Sequence, residues 1–388
     1  MRSARASLAL LAAVIVLAVS AAPAGAQDPG RWQLTGATSL PVNYWQGLTT
    51  DPGDQNVFLV GVFQGLWRTN PLLGQTAGVS SEIPASVTST AGYNHIGDPT
   101  WNPGDGGRVI LPLECYTPGG PNGGNTCGNG AFGVADPTSL AFRYYVKLDP
   151  AEIPKAMWAE TSPDGSLIWT SSGNDLLAYR TSDVTAAKAA PAGPVIHAVR
   201  RLRDAVPPTG ITGAVFVNGR LLVAGEAGGV YQVWAIDTDN GSRRLEIEMQ
   251  ICGESEGLDV IPTLGGDLHW LIALSDPRGC QLTFGPGNAL LHFVPKPTRQ
   301  RFAVSVLNVS NSAVPGTVTA IVQATRDGRP VRNARVGFAG GRARTGKHGF
   351  AVVSATLERP GRFSAFVRKG QRFGVSDLVP VGVASPSG

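Results

Sequence analysis

Apolar residues in this chain come in short runs and not in helical stripes. Val57-Phe58-Leu59-Val60 and Leu221-Leu222-Val223-Ala224 are short continuous runs, the pattern of short strands joined by turns. Apolar positions spaced three and four apart over several turns are nearly absent. Asp183 to Ala190 is the one stretch expected to be helical, as a short excursion between strands. The 50 glycines and 29 prolines are spread over the whole length, and they supply turns at the spacing that many short strands require. The pattern predicts an all-β protein.

About five units recur along the chain, each opening on a few distinctive residues, passing a turn and entering an apolar strand. Tyr44-Trp45-Gln46-Gly47-Leu48 leads to the strand at Val57, and His95-Ile96-Gly97-Asp98 leads to the strand Arg108 to Leu113. Trp158-Ala159-Glu160-Thr161, Gly210-Ile211-Thr212-Gly213 and Glu256-Gly257-Leu258-Asp259 open the other three. After Pro295-Lys296-Pro297 the texture changes to plain alternation, as in Val318-Thr319-Ala320-Ile321-Val322, with turns at Arg326 to Pro330, Thr345 to Gly349 and Pro360-Gly361. A linker is expected there, dividing residues 27–295 from residues 296–388.

The rhythm from Tyr44 to Pro295 resembles bacterial β-propellers of the quinoprotein-like and phytase-like repeat class. Its most family-like pieces are the hairpin Val233-Trp234-Ala235-Ile236-Asp237 with Gly241, and the Glu256-Gly257-Leu258 opening. The segment after Lys296 resembles carboxypeptidase-regulatory or bacterial Ig-like domains, which are typically structural or adhesive. The resemblances imply an about five-bladed β-propeller followed by a small β-sandwich.

Met1 to Ser7 carry Arg2 and Arg5, the apolar run Leu8 to Val19 follows, and Ala24-Gly25-Ala26 has the small-x-small cleavage pattern. Residues 1–26 are therefore read as a secretory signal, too short for a membrane span, and the mature protein is expected outside the cell with no transmembrane segment. Cys115, Cys127, Cys252 and Cys280 then face an oxidising compartment and allow three pairings. The local pairing, Cys115 with Cys127 and Cys252 with Cys280, is favoured because each bond closes a short loop. No Cys-x-x-Cys spacing supports zinc.

Charge divides the chain in two. From Lys296 onward, 15 Lys and Arg face only Asp327, Glu358 and Asp377, a net +12, whereas residues 27–295 hold 15 basic against 25 acidic residues, a net −10. Such a basic segment would be drawn to an anionic cell-surface polymer or to the acidic body of its own chain. Nucleic acid is not expected, because Phe302, Phe338, Phe350, Phe363, Phe366 and Phe373 stand in apolar strand contexts that read as core and not as a stacking platform.

Gly253-Glu254-Ser255-Glu256-Gly257 matches the nucleophile-elbow pattern, but no helix follows, so it reads as a turn opening a unit. Asp237-Thr238-Asp239-Asn240-Gly241 has its glycine one place early for a calcium loop and reads as a hairpin turn. The starts of propeller blades point toward the central channel, which would gather Gln46, His95, Asp98, Glu160, Thr212, Glu256 and Asp259. Asp98, Glu160 and Glu256 are the candidate metal ligands, with calcium the ion such oxygens prefer, and His95, near Asp98, is the candidate general base. Two functions follow. The first is an exported binding or scaffold protein, its propeller face taking a small-molecule or glycan ligand and its basic sandwich attaching to an anionic surface. The second is a calcium-dependent hydrolase of phosphoesters or lactones. The lack of a strong catalytic motif places the binding reading first.

Overall fold

The computed structural model describes residues 31–51, 53, 56–61, 63–119, 124–190, 193–250, 253–273, 287–310 and 313–382. The expected signal segment and the Cys252–Cys280 pairing lie outside these residues. The described chain is dominated by antiparallel strands. The expected helical excursion is present, as the helix Thr181–Ala186 and the 3-10 turn Ala187–Ala189. A second helix, Ala85–Ala91, was not expected, since its Ser- and Thr-rich sequence carries no apolar stripe. It stops at Gly92, whose φ of 83° lies in the left-handed region. Among the described residues no helix is long and apolar enough to cross a membrane.

The body is propeller-like. Among the described residues the body holds five successive sheets, with inner strands Gly47–Thr50, Thr100–Asn102, Glu160–Thr161, Gly210–Val217 and Glu254–Asp259. Each inner strand neighbours the next, and the last neighbours the first, so the five close a ring. The second strands behind them, such as Val57–Val60 and Arg108–Glu114, are buried along their whole length, which is why they appear as uninterrupted apolar runs. Asn218-Gly219, with φ of 51° and 75°, makes the tight turn between Gly210–Val217 and Arg220–Ala227. Asp237 to Gly241 is a turn as expected, with Gly241 N–H donating to the Asp237 carbonyl at 2.8 Å.

The N-terminal strand Trp32–Leu40 closes the fifth sheet by pairing with Asn288–Pro295, with Thr38 opposite Leu290. Its other edge is not left open. Gly361–Phe363 pairs with it, Gly36 opposite Phe363, and Val379–Val381 continues the same sheet. The C-terminal part is thus joined to the body by main-chain hydrogen bonds that cover an otherwise unpaired edge. Its remaining strands form two sheets around a core that includes Val318, Val322, Val336, Phe338, Val353 and Phe363.

Alternation sets that core: Phe350–Leu357 is exposed and buried at strictly alternate positions. The same period overturns the reading of Phe350 as core. It falls on the outward register with Val352 and is 41% exposed, whereas Phe302, Phe338, Phe363 and Phe373 are buried.

Candidate functional site

Asp98 sits at the centre of the ring and is fully buried. Its Oδ1 accepts the Leu48 N–H at 2.9 Å and its Oδ2 accepts the Ala214 N–H at 3.1 Å. Its own N–H donates to the Met157 carbonyl, and its carbonyl accepts the Ala159 N–H. A Cβ on Gly257 would come within 2.4 Å of Asp98 Oδ1, and one on Gly47 within 2.5 Å of Asp98 Cα. Parts of all five sheets therefore converge on this residue, and glycine is needed where the inner strands press against it. Burial pushes the Asp98 carboxyl well above its usual range, against the two N–H donors that favour the charged form.

The other ring residues divide between the two sides of this plug. On one side Glu256 is buried, with Oε2 accepting Gln46 Nε2 at 3.1 Å and Oε1 without a hydrogen-bond partner. Burial pushes its carboxyl well above the usual range, and the charges of Glu254, Asp98 and Glu226 add to that. His95 is also buried, but its Nδ1 lies 2.8 Å from Glu114 Oε1, so its carboxylate neighbour is Glu114, directly opposite it on the adjacent strand, and not Asp98. Ser255 is buried on the inner strand, its Oγ bound to Trp270 Nε1 at 3.1 Å and paired with Thr212 Oγ1 at 3.0 Å. The segment read as a turn is thus a strand from Glu254, and its serine holds the core together.

On the opposite side the inner strands end at an open cavity of about 920 Å³, lined by Thr50, Arg68, Trp101, Glu160, Phe216 and Asp259 among others. Glu160 forms part of the wall, with Oε1 accepting the Phe216 N–H at 2.9 Å and Oε2 accepting Thr100 Oγ1 at 2.9 Å. Asp259 Oδ1 accepts the Val260 N–H at 2.6 Å, and Thr50 also donates to this carboxyl, from its hydroxyl and its main chain. Burial raises Glu160 to about 8, with the nearby Asp259 charge adding to it, and raises Asp259 to about 7. Carboxyls that titrate near neutral pH can both donate and accept hydrogen bonds, and can pass a proton to or from a bound molecule.

The structure therefore sets Glu160 and Asp259 in one cavity wall, with the buried Asp98 within electrostatic reach of both, and Glu256 within reach of Asp98 from the other side. Among the described residues, the one group of three or more His, Cys, Asp or Glu with ligand atoms mutually within 4.8 Å is elsewhere, at Asp149, Glu152 and His197. There His197 Nδ1 lies 3.0 Å from Asp149 Oδ2, and Glu152 is held by Tyr179 and the Ala198 N–H.

Sequence reasoning missed Trp101, Thr50 and Phe216. A signal for the first two existed: Thr49-Thr50-Asp51 and Thr100-Trp101-Asn102 are polar or aromatic where each inner strand ends, whereas attention fell on where it begins. Cys115 and Cys127 form the expected disulfide, with Cα atoms 5.4 Å apart.

No protein-family model and no curated protein matches this chain. Among solved structures it is similar to the PQQ-bound aldose sugar dehydrogenase of Streptomyces coelicolor, at 13% identity over 68% of this chain and 98% of that one, with a TM-score of 0.35. It is similar also to the glutaminyl cyclase of Myxococcus xanthus, at 10% identity over 68% and 97%, with a TM-score of 0.38. A luciferin-regenerating enzyme matches at 12% identity over 66% and 94%, with a TM-score of 0.36. Likenesses this distant say nothing of cofactor, substrate or activity here.

Proposed function

We propose that this is an exported binding protein whose ring cavity takes a polar small molecule or glycan, and whose basic C-terminal part attaches it to an anionic surface. The observation that carries the reading is the Glu160 and Asp259 pair in the wall of a cavity that also presents Trp101 and Phe216. A sugar offers hydroxyls to such carboxyls and an apolar ring face to such aromatics. Export is supported by the leader pattern and by the Cys115–Cys127 bond, which belongs to an oxidising compartment. Surface attachment is supported by the net +12 of the segment from Lys296.

The same carboxyl pair favours a second reading, a hydrolase in which one carboxyl gives a proton while the other takes one. His95 has no part in it, since it lies on the far side of the Asp98 plug. A ligand panel of mono- and oligosaccharides, followed by tryptophan fluorescence and thermal shift, tests the first reading. Chromogenic glycosides, phosphoesters and lactones test the second. Glu160→Gln keeps the shape of the wall: loss of turnover with retained binding establishes the hydrolase, and loss of binding alone establishes the binding protein. A panel in which nothing shifts the wild type or is turned over overturns both.

A further inference from the structure

The C-terminal part contains three arginines in one row across three strands. Arg335 on Arg335–Phe338 is directly opposite Arg344 on Gly341–Arg344 and directly opposite Arg368 on Phe366–Lys369. Directly paired residues in a sheet point to the same face, so three guanidinium stems stand side by side about 5 Å apart. All three are exposed, and Arg342, two positions from Arg344 on the same face, is exposed as well. Like charges directly opposite each other destabilise a sheet. No ion pair to any of the four is found among the described residues. Arg344 is bound to Asn333 and Arg368 to the Gly370 carbonyl, both neutral, and Arg335 and Arg342 have no hydrogen bond of their own there.

All four arginines line a cavity of about 570 Å³ that is lined also by the body segment Gly265-Gly266-Asp267, and Asp267 is its one acidic residue. Between Arg342 and Phe366 in the next row stands Gly337, where an added Cβ would meet nothing within 4 Å. The sheet therefore has a notch in its charged face, open to a molecule lying across it. A second basic cavity, around Arg326, Arg329 and Arg372, is built on strand ends flanking turns and contains the Arg326–Asp327 contact. The strand-borne row is the better-organised anion site, because Arg335 and Arg368 stand on strands paired on both sides and Arg344 on the edge strand beside them.

We propose that the cavity between the arginine row and the Gly265–Asp267 turn binds a ligand carrying two or more phosphate groups. Guanidinium forks match phosphate oxygens two at a time, and adjacent forks one strand apart suit successive phosphates better than a single one. This rests on, and sharpens, the anionic-partner half of the function proposed above, and it is independent of the ring cavity.

The test is calorimetric titration of the mature chain with inorganic tripolyphosphate and with orthophosphate, alongside sedimentation with vesicles of phosphatidylglycerol or phosphatidylcholine. Tripolyphosphate is expected to bind one to one, at least tenfold more tightly than orthophosphate. Arg335→Gln and Gly337→Leu should each weaken it at least tenfold, while Arg326→Gln, which removes the same charge elsewhere, should leave it within twofold. Thermal unfolding without ligand checks that Arg335→Gln and Gly337→Leu fold. Equal loss in Arg326→Gln, or no loss in Gly337→Leu, overturns the site in favour of diffuse charge attraction. Binding to phosphatidylglycerol vesicles without tripolyphosphate binding also overturns it, and leaves surface attachment standing. Binding to neither overturns both.

Discussion

The Oδ1 atom of Asp98 accepts the main-chain N–H of Leu48 from the neighbouring sheet at 2.9 Å, and this bond belongs to the one residue on which all five sheets converge. Both carboxyl oxygens are taken by main-chain N–H groups, so Asp98→Asn must turn an amide NH2 against one of them. A buried donor facing a donor costs about 2–3 kcal/mol, and Asp98→Ala, which orphans two N–H groups and leaves a void, costs at least about 3 kcal/mol. Urea unfolding of both variants checks this. Equal stability of Asn and Asp at this position would show that the carboxyl is not the structural hub.

Gly257→Ala tests the same point from the facing strand. Its Cβ would be 2.4 Å from Asp98 Oδ1 and 2.7 Å from the Leu48 main-chain nitrogen, so the hydrogen-bonded carboxyl and the main chain of the facing strand must both move. The expected loss is about 2–3 kcal/mol, read as a lower urea midpoint, the cost of overpacking a site that cannot relax.

The contrast between Asp98 and Glu160 shows what the sequence could disclose. The fold class was legible because turn glycines and fully buried apolar runs alternate at short spacing, and the residues opening each unit do lie on or beside inner strands. Convergence on one ion was not legible. Side chains on successive residues of a strand point oppositely, and a shift of two residues along an inner strand moves a side chain by about 7 Å toward one end of the ring. Asp98, Glu160 and Glu256 share the ring but not a level. The mutual approach of Glu160 and Asp259 depends on how strands of the third and fifth sheets are staggered, which no local pattern records. Phe350 was misread for a simpler reason: an apolar residue in an alternating strand is core only if its register faces inward.

The cavity carboxyls give the protein a pH dependence with a definite sign. Glu160 rises from 4.5 to about 8 and Asp259 from 3.8 to about 7 on folding. The folded state thus binds more protons than the unfolded chain between these limits, and stability is fully present below about pH 4 and lost as pH rises toward 8. The buried His292, held at about 4 by burial, acts oppositely, adding stability as pH rises from 4 to its ordinary 6.5. Glu160→Gln should therefore remove much of the decline between about pH 4.5 and 8, on the order of 1–2 kcal/mol after solvent screening, and leave stability below about pH 4 unchanged. Melting temperatures across pH 3 to 9 for wild type and variant decide it. An unchanged alkaline limb in the variant would show that Glu160 is already ionised in the folded state.

Cys115 and Cys127 are 12 residues apart in sequence, and their bond restricts a glycine-rich loop. Replacing both by Ala should lower stability by about 2–3 kcal/mol. Peptide mapping without reductant checks the bond itself and also the expected Cys252–Cys280 pair. Crossed pairs, or four free thiols, contradict the local pairing.

The boundary near Lys296 and Pro297 carries a prediction that the shared sheet makes sharper than the sequence alone allows. If the two parts are separate domains joined by a linker, a protease cutting near Lys296 should leave each part folded, with the basic fragment carrying the sandwich core. Yet Gly361–Phe363 is hydrogen-bonded to Trp32–Leu40, Ser39 N–H donates to the Pro360 carbonyl at 2.9 Å, and Ser364 N–H donates to the Thr35 carbonyl at 2.8 Å. The Arg359 guanidinium also donates to the Leu73 carbonyl at 3.2 Å, on the first sheet of the body. These contacts lie on both sides of the cut and do not depend on the linker. The nicked protein should therefore elute as one species on size exclusion at neutral pH, and the basic fragment should appear only in denaturant. Opposite net charge on the two parts, −10 and +12, adds attraction that high salt weakens, so 1 M salt tests whether strand pairing alone holds them. Spontaneous release of a folded basic fragment at low salt would show that the shared sheet does not persist in solution.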